Sequence, residues 1–127
     1  MRQPTAREQD CLKAIHRLGG EEKAVATQAI ADLLGVRSAT TSVMLDRLVE
    51  AGLVEKQRYS GSRLTPAGVT EARAVIRRHR LIGLFLTRVL GFDSDEVDVE
   101  AEALEHAVSD LVEQAISRFL GNPQEDL

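Results

Sequence analysis

Apolar residues recur along this chain at intervals of three and four, and glycines or prolines interrupt each run. Cys11, Leu12, Ile15 and Leu18 share one helical face within residues 5–18. Thr5 with Glu8 three positions on reads as a capping box, and Gly19-Gly20 as the stop. Ile30, Leu33 and Leu34 form the stripe of a second helix, with Thr27 as its expected N-cap and Gly35 in the turn that follows. A third helix is expected from about Ser38 through Val43, Met44, Leu45 and Leu48 to Ala51-Gly52. The periodicity then changes. Two short strand-like pieces flank Ser60-Gly61-Ser62, a hairpin turn signal. Thr65-Pro66 opens a long helix, with Thr as N-cap and Pro at the first helical position, that runs to about residue 90 and stops at Gly91. Residues 93–96 read as a turn leading to a short helix or extended link. A last helix is expected from about residue 99 to 120, ended by Gly121-Asn122-Pro123, with the final residues frayed.

A short helix, a turn with glycine, a second helix with polar early residues and then a basic hairpin is winged helix-turn-helix grammar. The predicted fold class is mainly α: a winged helix-turn-helix in residues 1–70, followed by an all-helical unit in residues 71–127.

Charge sharpens this division. Residues 1–80 hold fourteen Lys/Arg against nine Asp/Glu, whereas residues 81–127 hold two against eleven. The first part suits phosphate and the second suits cations. No apolar run approaches the ~18–20 residues a membrane span requires, and the start shows no apolar leader. One cysteine, Cys11, excludes an internal disulfide and a thiolate cluster. Cytoplasmic residence without membrane contact is expected.

In a helix-turn-helix, the early polar residues of the second helix reach base edges and phosphates. Here they are Arg37, Ser38, Thr40, Thr41 and Ser42, with Arg47 placed for the backbone. Arg58 and Arg63 on the hairpin suit phosphate. Downstream, Glu102, Glu105 and His106 fall on one face of an expected helix. Two carboxylates and an imidazole there make an expensive core but a good divalent-metal site. His79 sits between arginines on the long helix, and His16 reads as structural or surface.

In this order and at this separation, these features resemble the metal-dependent repressors of the diphtheria toxin repressor and manganese transport regulator type. The resemblance spans nearly the whole chain. It rests on Leu53-Val54 before the hairpin, Leu64-Thr65-Pro66-Ala67-Gly68, Arg78-His79-Arg80-Leu81 and Glu105-His106. It implies a homodimer whose first 70 or so residues bind a double-stranded, pseudopalindromic operator and whose later helices supply the dimer interface and metal ligands. It implies Asp10, His79, Glu102, Glu105 and His106 as those ligands. Iron-responsive and toxin-repressor members tend to hold Met and Cys at the positions of Asp10 and Glu102, whereas manganese members hold Asp and Glu. The manganese class is therefore expected, with Mn²⁺ as cofactor and Fe²⁺ as the alternative. Co²⁺ or Zn²⁺ would substitute in vitro, since affinity order favours later metals.

This chain departs from the family pattern at several positions. Lys13 stands where manganese members often carry a second carboxylate, so one or two ions per subunit are both open. Gly83 and Asp98 replace a carboxylate and a histidine of an ancillary site. Val43 replaces a polar reader, and no third, SH3-like domain is expected.

Dimerisation has a separate argument. Residues 70–120 carry more apolar side chains, from Val75, Ile76 and Leu81 to Ile116, Phe119 and Leu120, than a small helical layer buries alone. The rival readings are a winged-helix regulator indifferent to metal and an enzyme. For the enzyme the motifs are missing: a zinc hydrolase would need histidine at position 102, and a di-iron site would need Glu-x-x-His.

Overall fold

The computed structural model describes residues 3–123, so the expected fraying of the last residues lies outside the described part. The chain divides between Arg73 and Ala74 into two compact units. In the first are α1 (Ala6–Arg17), α2 (Thr27–Leu34), α3 (Ser38–Glu50), β1 (Val54–Gln57), β2 (Gly61–Leu64) and the start of α4 (Pro66–Arg88). In the second are the rest of α4, α5 (Ser94–Glu105) and α6 (Asp110–Phe119).

Local chemistry sets the helix starts. Thr5 Oγ1 accepts from the Glu8 backbone N–H at 3.2 Å while Glu8 Oε1 accepts from the Thr5 N–H at 3.0 Å, the expected capping box. Thr65 Oγ1 accepts from the Gly68 N–H at 3.0 Å and donates to the Gly52 carbonyl at 2.7 Å. That cap therefore also ties the start of α4 to the end of α3. Gly35 closes α2 at φ +70°.

The stripes read from the sequence converge on one aliphatic core in the first unit, except at Leu33, which is exposed. Leu12 and Ile15 of α1, Ile30 of α2, Leu45 and Leu48 of α3, Leu53, Val54 and Leu64 of the hairpin and Ala72 of α4 pack there. β1 pairs antiparallel with β2, Val54 opposite Leu64 and Gln57 opposite Gly61. Val25, just before α2, adds an isolated bridge to Ser62, exchanging backbone bonds of 2.7 and 2.9 Å. In the second unit Ile82, Leu86 and Ala101 form a smaller core with Phe92, Val97 and Val108 against it.

Three local expectations change. Ala26, not Thr27, is the N-cap of α2, and no side chain caps that end. The hairpin turn lies at residues 58–60, with Tyr59 at φ +66°, while Gly61 begins β2. The expected last helix is two helices. α5 starts earlier, because Glu96 Oε1 accepts from the Asp93 N–H at 3.3 Å to cap residue 94 onward. It ends at Glu105 with His106 as C-cap. Ser109 then restarts the chain as N-cap of α6, its Oγ accepting from the Val112 N–H at 3.2 Å. Two good caps in one apolar-periodic segment outweigh the continuous pattern.

Of the apolar residues expected at a dimer interface, Val75, Leu81, Ile82 and Leu86 are buried within the chain itself. Val89, Leu104, Leu111, Val112 and Phe119 are exposed. Phe119 keeps one edge-on contact with Phe85, ring centroids 6.2 Å apart.

Two outcomes follow from this packing. A Cβ on Gly61, at φ +115°, would sit 2.1 Å from the Val25 carbonyl oxygen. Gly61→Ala should therefore cost at least about 1–3 kcal/mol of stability in chemical denaturation, from the backbone conformation alone. Burial, and secondarily Glu8 and Asp10, push the Cys11 thiol from 9.0 up to about 12. The thiolate is the reactive form, so Cys11 should resist alkylation at pH 8 until the protein is unfolded. The unfolded thiol ionises three units lower, so stability should also fall as pH rises above 9.

Candidate nucleic-acid interface and metal centre

α3 presents its outer face through Ala39, Thr40, Val43, Asp46 and Arg47, all exposed, while Met44, Leu45 and Leu48 hold the inner face on the core. Arg37 is the exposed N-cap. Ser38 is half-buried, and its hydroxyl donates to Gln28 Oε1 at 2.6 Å; Gln28 Nε2 in turn donates to Asp32 at 2.8 Å. This chain of bonds sets the register between α2 and α3. Ser42 is half-buried.

Thr41 needs correction as a reader. Its side chain is 0% exposed and its hydroxyl donates to the Arg37 carbonyl at 3.1 Å. Position 41 lies half a turn away from the outer face, so burial there follows from helix geometry.

The hairpin carries Arg58 at its turn, with the guanidinium 5.0 Å from the ring centroid of Tyr59. Tyr59 is 92% exposed. Its backbone is left-handed, at φ +66°, a conformation no periodicity could have signalled. Arg63 is held back: its Nε donates to the Glu21 carbonyl at 3.2 Å. Of the two hairpin arginines, Arg58 is the outward one.

The second unit gathers a different chemistry. Glu105, the last residue of α5, is 0% exposed. Its Oε1 lies 2.5 Å from His79 Nδ1, and its Oε2 lies 3.7 Å from His106 Nε2. The other nitrogen of His79 is 2.9 Å from Asp98 Oδ1. α4, α5 and the α5 C-cap thus bring two imidazoles and two carboxylates together. A fully buried carboxylate is stable only when paired, and here nitrogen donors flank it.

Arg78, one residue before His79, fixes the frame. It bonds Glu113 Oε1 at 2.5 Å, Asp110 Oδ1 at 3.1 Å and the Glu105 carbonyl at 3.3 Å. It therefore joins α4 to α6 and to the end of α5. In the sequence Arg78 is one more arginine on a helix, with nothing to mark the role. Glu102, one turn before Glu105, is exposed. Asp10 lies on α1 in the first unit and is half-buried.

The set around Glu105 is oxygen and imidazole nitrogen without sulfur, the donor chemistry that suits Mn²⁺ or Fe²⁺. Glu105 and His106 each offer a ligand atom within 4.8 Å of the other, a spacing compatible with a shared cation.

Residues 4–62 match the N-terminal DNA-binding domain of the iron-dependent repressors, and residues 65–127 match their metal-binding and dimerisation domain. An HTH-type transcriptional regulator of Methanocaldococcus jannaschii is 32% identical over 96 residues, 76% of this chain and 77% of its own length. The diphtheria toxin repressor of Corynebacterium diphtheriae is 35% identical over 109 residues, 86% of this chain but 48% of that protein. Among solved structures, a manganese-dependent transcriptional repressor in complex with manganese superposes with a TM-score of 0.82 at 42% identity, over 92% of this chain and 54% of the other. The manganese regulator SloR gives 0.80 at 34%, over 96% and 56%. The chain thus spans about half the length of the diphtheria toxin repressor and of these two structures. With matched models across both units and relatives above 30% identity over most of its length, the chain belongs to the iron-dependent repressor family of transcriptional regulators, and not to a family of enzymes.

Proposed function

We propose that this protein is a metal-dependent, DNA-binding transcriptional repressor that controls genes of metal-ion homeostasis, with Mn²⁺ as the cognate ion and Fe²⁺ as the alternative. The observation that carries this reading is the fully buried Glu105 carboxylate flanked by His79 and His106. Such a group is costly as a structural feature and useful as a ligand.

Residues 1–70 act as the DNA-binding domain and residues 71–127 as the dimerisation and metal-binding domain. His79, Glu105 and His106 hold the ion. Asp10 and Glu102 complete the set, a role supported by their family positions and by hard oxygen chemistry. A divalent cation would supply the positive charge that lets these carboxylates remain ionised together. Arg78, by fixing the Glu105 backbone to α4 and α6, keeps the donors in place while the charge changes.

Arg37, Arg47 and Arg58 face outward from the first unit and suit the phosphates of double-stranded DNA. The exposed Leu111, Val112 and Phe119 on α6 supply the homodimer contact. Two protomers related by a two-fold axis present two reading heads to a pseudopalindromic operator. No helix among the described residues is long and apolar enough to cross a membrane, and residence beside DNA in the cytoplasm fits this role.

Ion binding changes operator affinity only by its different affinity for the two arrangements of the dimer, and DNA tightens ion binding by the same factor. A coupling of ~1–3 kcal/mol corresponds to roughly 5–150-fold in operator affinity. Calorimetry with Mn²⁺ on the purified, metal-stripped chain should show saturable binding; its absence removes the metal reading. Glu105→Gln keeps the shape and removes the charge. In gel-shift assays at fixed salt it should lose most of the Mn²⁺ stimulation, and full stimulation in that variant would refute the ligand assignment. Mn²⁺, Fe²⁺, Co²⁺ and Zn²⁺ compared in the same assay rank the ions.

A further inference from the structure

An exposed carboxylate stands where the first unit gathers its outward cations. Asp46 lies on the outer face of α3 beside Arg47, and Lys56 Nζ reaches it from β1 at 2.5 Å. Strand alternation explains the meeting. Lys56 points the same way as Val54, whose side chain packs with Leu45 and Leu48 of α3, while Glu55 and Gln57 point away. Arg37, Arg47 and Arg58 have no carboxylate partner among the described residues, so Lys56 is the outward cation that the protein itself has neutralised.

The pair adds little to stability. Its side chains are 43% and 68% exposed, and an exposed ion pair contributes ~0–1 kcal/mol. Backbone bonds already seat the hairpin on α3: the Leu53 N–H donates to the Leu48 carbonyl at 2.9 Å, and the Thr65 N–H to the Leu53 carbonyl at 3.1 Å. Toward DNA the same carboxylate is unfavourable. It repels phosphate, and it occupies an ammonium that would otherwise neutralise one. Neutralising phosphates, with release of their counterions, supplies nearly all sequence-independent affinity. Each cation withheld therefore lowers that affinity wherever the protein lands.

We propose that Asp46 is an internal competitor for Lys56: it holds the ammonium away from duplex phosphate and so keeps basal, sequence-independent DNA binding weak. This rests on the DNA-binding role proposed for the first unit, and it adds a residue that restrains that binding. Such a restraint matters where ion coupling is modest. A gain of roughly 5–150-fold on ion binding switches occupancy only when the ion-free affinity starts low.

The test measures binding of the full, metal-stripped chain to a random-sequence duplex by fluorescence anisotropy, from about 50 to 200 mM salt. Asp46→Asn keeps the shape and removes the charge. It should bind more tightly, and the slope of log affinity against log salt should steepen by about 0.9, the value for one added phosphate contact. The gain is then about 3.5-fold larger at the lower salt than at the higher. Adding Lys56→Met to Asp46→Asn should abolish the gain. Glu50→Gln makes the same charge change one turn along α3, at an exposed residue with no ion pair among the described residues. It should steepen the slope by less than half as much. Should Asp46→Asn fail to fold, Asp46→Ser serves in the same measurement. Unchanged or weaker binding by the Asp46 variant overturns the proposal, as does a gain that survives in the double variant or is matched by Glu50→Gln. If the parent chain binds no duplex even at the lowest salt with Mn²⁺ added, the DNA-binding role itself falls, and this proposal with it.

Discussion

The chemistry of the second unit depends on one buried charge. Glu105 closes α5 with its carboxylate wholly removed from solvent, a position that costs several kcal/mol unless the charge is met by fixed partners. Those partners are His79 from α4 and His106 from the cap of the same helix. Imidazole suits this duty, since it serves as a hydrogen-bond partner to a carboxylate and as a ligand to a cation. Arg78 makes the arrangement stiff by bonding the Glu105 carbonyl and the α6 carboxylates together. The same bonds tie the end of α5 to α6, the helix whose Leu111, Val112 and Phe119 are exposed.

The first unit works by a different economy. Its polar groups are spent largely on holding elements together: Ser38 on Gln28, Asp46 on Lys56, Arg63 on Glu21, Thr65 on Gly52. Val25 clamps the hairpin at Ser62, and the narrow approach at Gly61 admits no side chain. A rigid hairpin and a fixed α2–α3 register keep the outer face of α3 in one orientation, which a groove reader needs because misplacement loses several contacts at once. What then faces outward on α3 is Ala39, Thr40, Val43, Asp46 and Arg47.

Much of this was legible beforehand. Thr5 with Glu8, Thr65 with Pro66, and the glycines after α1 and α2 carry their meaning locally, because a cap satisfies backbone groups within three or four residues. The aliphatic stripes identified the core faces for the same reason. The break at residues 106–109 was written in Ser109 but was masked by an apolar pattern that continued across it. Charge at Glu102, Glu105 and His106 suggested a metal site, yet equal periodicity concealed unequal burial: Glu105 lies inside and Glu102 outside.

The sequence alone determined the element types, the order of a winged helix-turn-helix before a helical unit, and the residue chemistry available for a cation, since these depend on neighbours close in the chain. Only the tertiary structure decided which side chains are free to act. It turned Thr41 inward, tied Arg63 to the backbone of Glu21, brought His79 within 2.5 Å of Glu105 across 26 positions, and left Val43 on the surface. The physical reason is that burial and pairing are set by what packs against a residue, and those partners come from distant parts of the chain.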